Sequence, residues 1–160
     1  MLTRLVVALF CLTLSLLGQQ TAPPRWTYVA GCQATGTTLK CSVSLPSNST
    51  RRVRMLSAVV VCPTASCSYT ISRDGSTPTA TAGTITKNRS VSPTPDAKWW
   101  TASDSTGGTG LPGAITVPSA TALPIDVSDI EVLPGENVSV SLASTGSQAL
   151  QVFAKWEEIS

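Results

Sequence analysis

From Leu150 to Glu157 the chain alternates between two faces, with Leu150, Val152, Ala154 and Trp156 on one and Gln151, Phe153, Lys155 and Glu157 on the other. A two-residue period puts successive side chains on opposite sides of an extended backbone, so this segment is a β-strand with one buried face. Val138, Val140 and Leu142 alternate in the same way with Asn137, Ser139 and Ser141, and Leu133-Pro134-Gly135-Glu136 supplies the turn that feeds them. Ser144-Thr145-Gly146-Ser147 reads as a hairpin loop between these two strands. After Pro24 no stretch keeps a helical apolar period, Ser and Thr supply 43 of the 160 residues, and Gly and Pro recur throughout. The pattern excludes a helical bundle and predicts an all-β fold.

Ile125-Asp126-Val127 and Ile130-Glu131-Val132 alternate in opposite phase, which predicts a turn or bulge at Ser128-Asp129. Arg52 and Arg54 oppose Val53 and Met55, whereas Ala58-Val59-Val60-Val61 is apolar on both faces, as in a strand that starts exposed and ends buried. Cys67 to Ser72 is expected to pair back on that strand with Tyr69 and Ile71 inward. Thr77 to Thr86 suits an exposed edge strand, and Ser103 to Gly113, containing Gly107-Gly108-Thr109-Gly110, reads as a long loop. About eight to ten short strands without a helix predict a single two-sheet β-sandwich of jelly-roll or Greek-key wiring. In pattern, residues 126–158 resemble the closing strands of many secreted and viral-surface jelly rolls; the likeness names no family.

Met1-Leu2-Thr3-Arg4 precedes a thirteen-residue, largely apolar run from Leu5 to Leu17, followed by Gly18-Gln19-Gln20-Thr21-Ala22. One basic residue, a short apolar segment and a small-residue exit are the marks of a secretory signal peptide. Residues 1–22 are therefore expected to be removed by cleavage between 18 and 22, leaving a secreted β-sandwich domain over 23–160, extracellular or periplasmic. Cys11 leaves with the signal, and Phe10 before it denies it a lipid-anchor context.

Cys32, Cys41, Cys62 and Cys67 remain, and an even number of cysteines in an exported chain is most simply read as disulfides. Cys62-Pro-Thr-Ala-Ser-Cys67 places a turn between two β-rich runs, and Cys32 and Cys41 bracket Gly36-Thr37-Thr38. Hairpin geometry then favours Cys62 with Cys67 and Cys32 with Cys41. The spacing is too loose for a zinc knuckle.

The formal net charge of +2 gives no footing for nucleic acid or a membrane surface. Its distribution is uneven. Arg25 to Lys98 carries nine basic side chains against Asp74 and Asp96, a balance of +7, and Trp99 to Ser160 carries Lys155 against seven acids, a balance of −6. Basic strands lying beside acidic strands in one monomer are the expected consequence.

The absence of histidine removes Ser-His-Asp and Cys-His nucleophiles, His-ligated metals and a histidine pH switch. A glycosidase needs only two carboxylates, for which Asp126, Asp129, Glu131, Glu157 and Glu158 are the candidates, although alternation points most of them to solvent. Asp126, Asp129 and Glu131 also form a weak calcium candidate, lacking the frame of a calcium loop. Trp26 and Tyr28 share a face, and Trp99 and Trp100 must point opposite ways in a strand, so at least one of them is expected at the surface, where an indole stacks on a sugar or anchors a protein contact. Asn48, Asn88 and Asn137 all stand in Asn-x-Ser/Thr sequons, which matter only in a glycosylating pathway. The chain reads as a secreted, non-enzymatic binding or surface protein without a cofactor, its partner a glycan or a protein at a cell surface. The alternatives are a carbohydrate-binding module and, more distantly, a carboxylate glycosidase.

Overall fold

The computed structural model describes residues 24–74, 81–87, 93–101 and 109–160. The signal segment, Asn88, Asp104 and the Gly107-Gly108 pair lie outside the described residues. Among the described residues ten strands form one antiparallel sheet: β1 (Arg25–Ser44), β2 (Arg52–Cys62), β3 (Cys67–Asp74), β4 (Thr81–Ala82), β5 (Ile85–Lys87), β6 (Lys98–Thr101), β7 (Thr109–Val117), β8 (Thr121–Ile125), β9 (Glu131–Val132) and β10 (Asn137–Ile159). The order β4-β6-β1-β10-β2-β8 runs across it, with β3 on β10, β7 on β3, β5 on β1 and β9 on β2. The all-β reading holds. Thr109–Gly113 belongs to β7 rather than to a loop, and β4 and β5 are short pieces of the expected edge strand.

Two strands carry the architecture. β1 pairs with β10 from Arg25 opposite Ile159 to Gly36 opposite Gln148, then from Thr38 opposite Ala143 to Ser44 opposite Asn137. Because both parts of β10 pair with the same partner in one direction, Ser144–Ser147 is an irregularity inside a 23-residue strand and not the expected hairpin loop. β2 and β3 likewise run end to end along the other side of β10, β2 against 151–159 and β3 against 137–144. The expected ladder between Cys67–Ser72 and the Arg52–Val61 run does not form. β8 and β9 continue the same scheme along β2, and β7 along β3.

At one common level every run is interrupted: Gly36–Thr38 in β1, 144–147 in β10, 63–66 between β2 and β3, and 118–120 between β7 and β8, where Ala120 takes φ 54°. There the sheet folds over. Nine residues of extended strand span about 30 Å, yet the Cα atoms of Cys32 and Cys41, nine positions apart in β1, are 6.4 Å apart and their sulfurs are bonded. Cys62 and Cys67 are bonded across the β2–β3 junction with a Cα separation of 6.1 Å. Both expected disulfide pairs are present, but each closes a fold between facing arms rather than an in-plane hairpin.

Gln148, 4% exposed, ties the fold line together. Its Oε1 accepts from the backbone N–H of Thr64 at 2.8 Å and of Ala65 at 3.0 Å, and its Nε2 donates to Ala65 O and Ser144 Oγ. The inward set of β1 changes parity across the interruption, from Tyr28, Ala30 and Cys32 to Leu39, Cys41 and Val43, as one extra residue in a period-two pattern requires. In β2 a register shift does the same: Val53 and Met55 point inward, then Ala58, Val60 and Cys62. Beyond that shift the alternation is regular, with Ala58 and Val60 buried and Val59 and Val61 half-buried on the opposite face.

The two arms meet through aromatic rings. Trp99 from β6 stacks on Trp156 from β10 with centroids 6.0 Å apart and planes 15° apart, and Tyr28 of β1 tilts against Trp156 at 6.2 Å. Trp99 Nε1 donates to Gly31 O across the core at 3.3 Å. Residue 83 must be glycine here, since a Cβ would lie 2.5 Å from Trp99 Cδ1, and its own N–H bonds Trp99 O at 2.7 Å. The expected turns are in place: Gly135 has φ 85° with Glu136 N bonded to Leu133 O, and Ile130 N bonds Val127 O around Ser128-Asp129.

Candidate functional site

The two tryptophans singled out by sequence do not form one surface. Trp99 pairs with Val43 on the inward face and is 2% exposed, so it belongs to the core and is withdrawn as a ligand-stacking residue. Trp100 pairs with Ser42 on the opposite face and is half-buried, its Nε1 donating to Ser44 Oγ at 2.7 Å. Its ring is the part of the pair that solvent reaches.

Asp126, Asp129 and Glu131 lie around the turn between β8 and β9, with each aspartate exposed. Asp126 Oδ1 accepts from Ser128 N at 3.0 Å and Ser128 Oγ at 2.7 Å, and these bonds, the backbone one first, hold its carboxyl below the usual carboxylate range. Glu131 sits 3.8 Å from Arg52 Nη1 and opposite Arg54 across the ladder, while its backbone carbonyl accepts from Arg73 Nη2 at 2.7 Å. Among the described residues no group of three His, Cys, Asp or Glu side chains is placed to hold a metal ion.

Glu157 and Glu158 are not solvated carboxylates. Glu157 is 8% exposed and lies 3.5 Å from Arg25, and Glu158 is fully buried. Extending the alternation of Leu150 to Trp156 by one more step puts Glu158 on the inner face, so the signal was present in the sequence and only its consequence was missed. A buried carboxylate needs its charge and lone pairs met. Glu158 Oε2 accepts from Arg51 Nη1 at 2.8 Å and Asp96 N at 3.1 Å, and Oε1 accepts from Ala97 N at 3.0 Å. Arg51 Nη1 is also 3.4 Å from Asp96 Oδ1, and its guanidinium stands 4.7 Å over the Trp26 ring. Ser49 Oγ donates to Asp96 Oδ2 at 2.9 Å and Tyr28 Oη to Pro93 O at 3.0 Å. Burial, with Glu158 next, raises the Tyr28 phenol above its usual value, partly offset by Arg51.

This cluster joins the 46–51 loop, the 93–97 segment and the end of β10. It leaves Glu158 no path to a substrate; of the five carboxylates the sequence offered for glycoside chemistry, Glu131, Glu157 and Glu158 are paired with arginines, whereas Asp126 is bonded to Ser128 and Asp129 lies exposed. Arg25 with Glu157, Arg51 with Glu158, Arg52 with Glu131 and Arg73 with Glu136 each join the basic first half of the chain to its acidic second half. Of the sequons, Asn48 lies exposed in a turn, whereas Asn137 is 1% exposed and sits in the ladder opposite Ser44.

Among the described residues no helix is long and apolar enough to cross a membrane. Comparison with protein-family profiles, curated proteins and solved structures finds no match to this chain.

Proposed function

We propose that this chain is the precursor of an exported, disulfide-stapled domain, a two-layer β-sandwich made by folding one sheet, which acts as a non-enzymatic binding or surface protein. The observation that carries the reading is the use of Cys32, Cys41, Cys62 and Cys67, all four cysteines after the signal segment, in two local disulfides at the fold line. Such bonds persist in oxidising compartments outside the cytosol. The commitment of Glu131, Glu136, Glu157 and Glu158 to arginines supports binding over catalysis. The half-buried Trp100 ring keeps a glycan among the partner classes. The test is expression with the native leader, followed by intact mass, a free-thiol count, and assay of the exported protein against glycans, cell-surface proteins and glycoside substrates. The expected result is a chain lacking its leader, without free thiols, that binds saturably and turns nothing over. Retention in the cytosol, reduced cysteines or saturable hydrolysis would overturn the reading.

A further inference from the structure

Phe153 points away from the core on the outer face of β10 and is 45% exposed. β10 has a paired strand on each side, so this ring stands in the interior of a sheet face and not at its edge. The register sets Gly31 of β1 opposite it on one side and Val59 of β2 on the other, with Pro124 of β8 beyond Val59. Gly31 gives the ring its place: a Cβ there would stand 2.7 Å from Phe153 Cδ1 and 2.9 Å from Cε1. The ring thus leans over β1 into the space of a missing side chain. On the same face of β10, Gln151 and Lys155 flank Phe153 at intervals of about 7 Å. Gln151 pairs with Gln33, and neither side-chain amide bonds a described residue. Lys155, exposed, also makes no hydrogen bond or ion pair with a described residue. The next side chain of that face, Glu157, is engaged by Arg25 at 3.5 Å and stands opposite Arg54, and Asp126 lies two strands away past the end of β8. One line of the face therefore offers two unspent amides, an exposed aromatic ring and an unspent ammonium.

We propose that this face binds an acidic polysaccharide, with the pyranose ring of a uronate unit on Phe153, its carboxylate at Lys155 and the hydroxyls of the neighbouring unit on Gln33 and Gln151. The negative face of an aromatic ring attracts the C–H edge of a pyranose. Amides both donate and accept, as sugar hydroxyls require. The ammonium is a compact point charge for the carboxylate. A stable protein contact is built on a contiguous apolar core, whereas here amides and a lysine surround a single ring. The proposal rests on the binding reading above, names its ligand class and moves the stacking ring from Trp100 to Phe153.

The test is an NMR titration of the ¹⁵N-labelled, oxidised protein with tri-galacturonate, run beside its neutral methyl ester. Saturable shifts confined to Gly31, Phe153, Lys155 and their neighbours are expected, weaker with the ester and weakened for the acid by salt. Phe153→Leu, an exposed position that keeps the apolar contact and loses the ring, should weaken the trimer by about fivefold or more with an unchanged melt. Gly31→Ala, which keeps the ring but displaces it, should weaken it as well. Lys155→Met should bring the acid down to the level of its ester. No saturable response, shifts elsewhere, equal binding of acid and ester, or full affinity in Phe153→Leu would overturn the proposal. Shifts of this face by a cell-surface protein and not by the trimer would end the glycan assignment while the binding reading stands; hydrolytic turnover would sink that reading without moving the trimer from Phe153.

Discussion

Glu158 Oε2 lies 2.8 Å from Arg51 Nη1, and none of the Glu158 side chain is exposed. Removing one partner of a buried pair leaves the other charge desolvated, so Glu158→Ala and Arg51→Ala are each expected to cost about 3 to 5 kcal/mol. Glu158→Gln keeps the acceptor for Ala97 N and should lose less. Urea denaturation of the single variants and of the double variant measures this, and the double should lose less than the sum of the singles. A cost below about 1 kcal/mol for Glu158→Ala would mean the carboxylate is solvated.

The disulfides sit where the chain turns from one arm to the other. Each closes a short loop, so in the chain-entropy account each adds about 2 to 3 kcal/mol. Replacing Cys32 and Cys41 together by Ser, or Cys62 and Cys67 together, should lower stability by that much, with early loss of amide protection around 36–38 and 63–66. Peptide mapping of the wild-type chain should recover only the two local pairs. A cross-link between Cys32 or Cys41 and Cys62 or Cys67 would contradict the fold line.

Gln148 replaces strand pairing with its side chain at that line, bonding Thr64 N, Ala65 N, Ala65 O and Ser144 Oγ. Gln148→Leu keeps the bulk and strands those groups, a loss of about 2 kcal/mol or roughly 5 to 10 °C in Tm for a domain of this size. Gln148→Glu keeps the two backbone acceptor bonds but sets an unpaired carboxylate oxygen against Ala65 O in a buried site, so at neutral pH it should lose at least as much as Leu. A melt unchanged by Gln148→Leu would place those amides in water.

Much of this was legible in the chain. The alternation of Leu150 to Trp156, the turns at Pro134-Gly135 and Ser128-Asp129, and the local pairing of the four cysteines all express near-neighbour geometry. What was not legible is where a reversing chain goes next. Cys32 and Cys41 look the same in sequence whether their segments pair in plane or face each other across a core, because alternation reports burial and not the partner. Trp99 and Trp100 show the same limit: opposite faces follow from adjacency, but only packing against Trp156 assigns the inner one. The inserted residue that flips parity in β2 is likewise hidden, since in Met55-Leu56 either apolar residue could be the inward one.

Asp126 and Tyr28 are shifted in opposite directions, and each bears on the pH response. Asp126 is held below the usual carboxylate value of about 3.9 by Ser128, so its contribution is present above that value and is lost as pH falls through the folded one. Ser128→Ala, which keeps the backbone bond, should reduce that acid-limb dependence in part. Tyr28 is shifted the other way by burial and by Glu158, so stability starts to fall as pH rises through about 10 and continues to fall until the folded value is passed. Tyr28→Phe removes a phenol bonded to Pro93 O and lowers stability at neutral pH, yet it should flatten the alkaline limb. Urea midpoints across both limbs check the signs, and an alkaline slope unchanged in Tyr28→Phe would reassign it.

Four arginines of the basic half meet acids of the acidic half inside one molecule, and this bears on assembly. Arg25 with Glu157 and Arg52 with Glu131 are pairs whose arginines are 53% and 52% exposed, so each adds only about 0 to 1 kcal/mol and salt weakens it further. Arg51 with Glu158 is shielded from salt by burial. Among the described residues these pairs interleave basic and acidic segments across β1, β2 and β10, which opposes the separation into poles that would drive head-to-tail association. Sedimentation should therefore find a monomer at both ~10 mM and ~500 mM salt, with unfolding stability changing only modestly between them. Oligomers that form at low salt and dissolve at high salt would show that uncompensated poles survive, and would turn the functional reading toward a self-assembling surface layer.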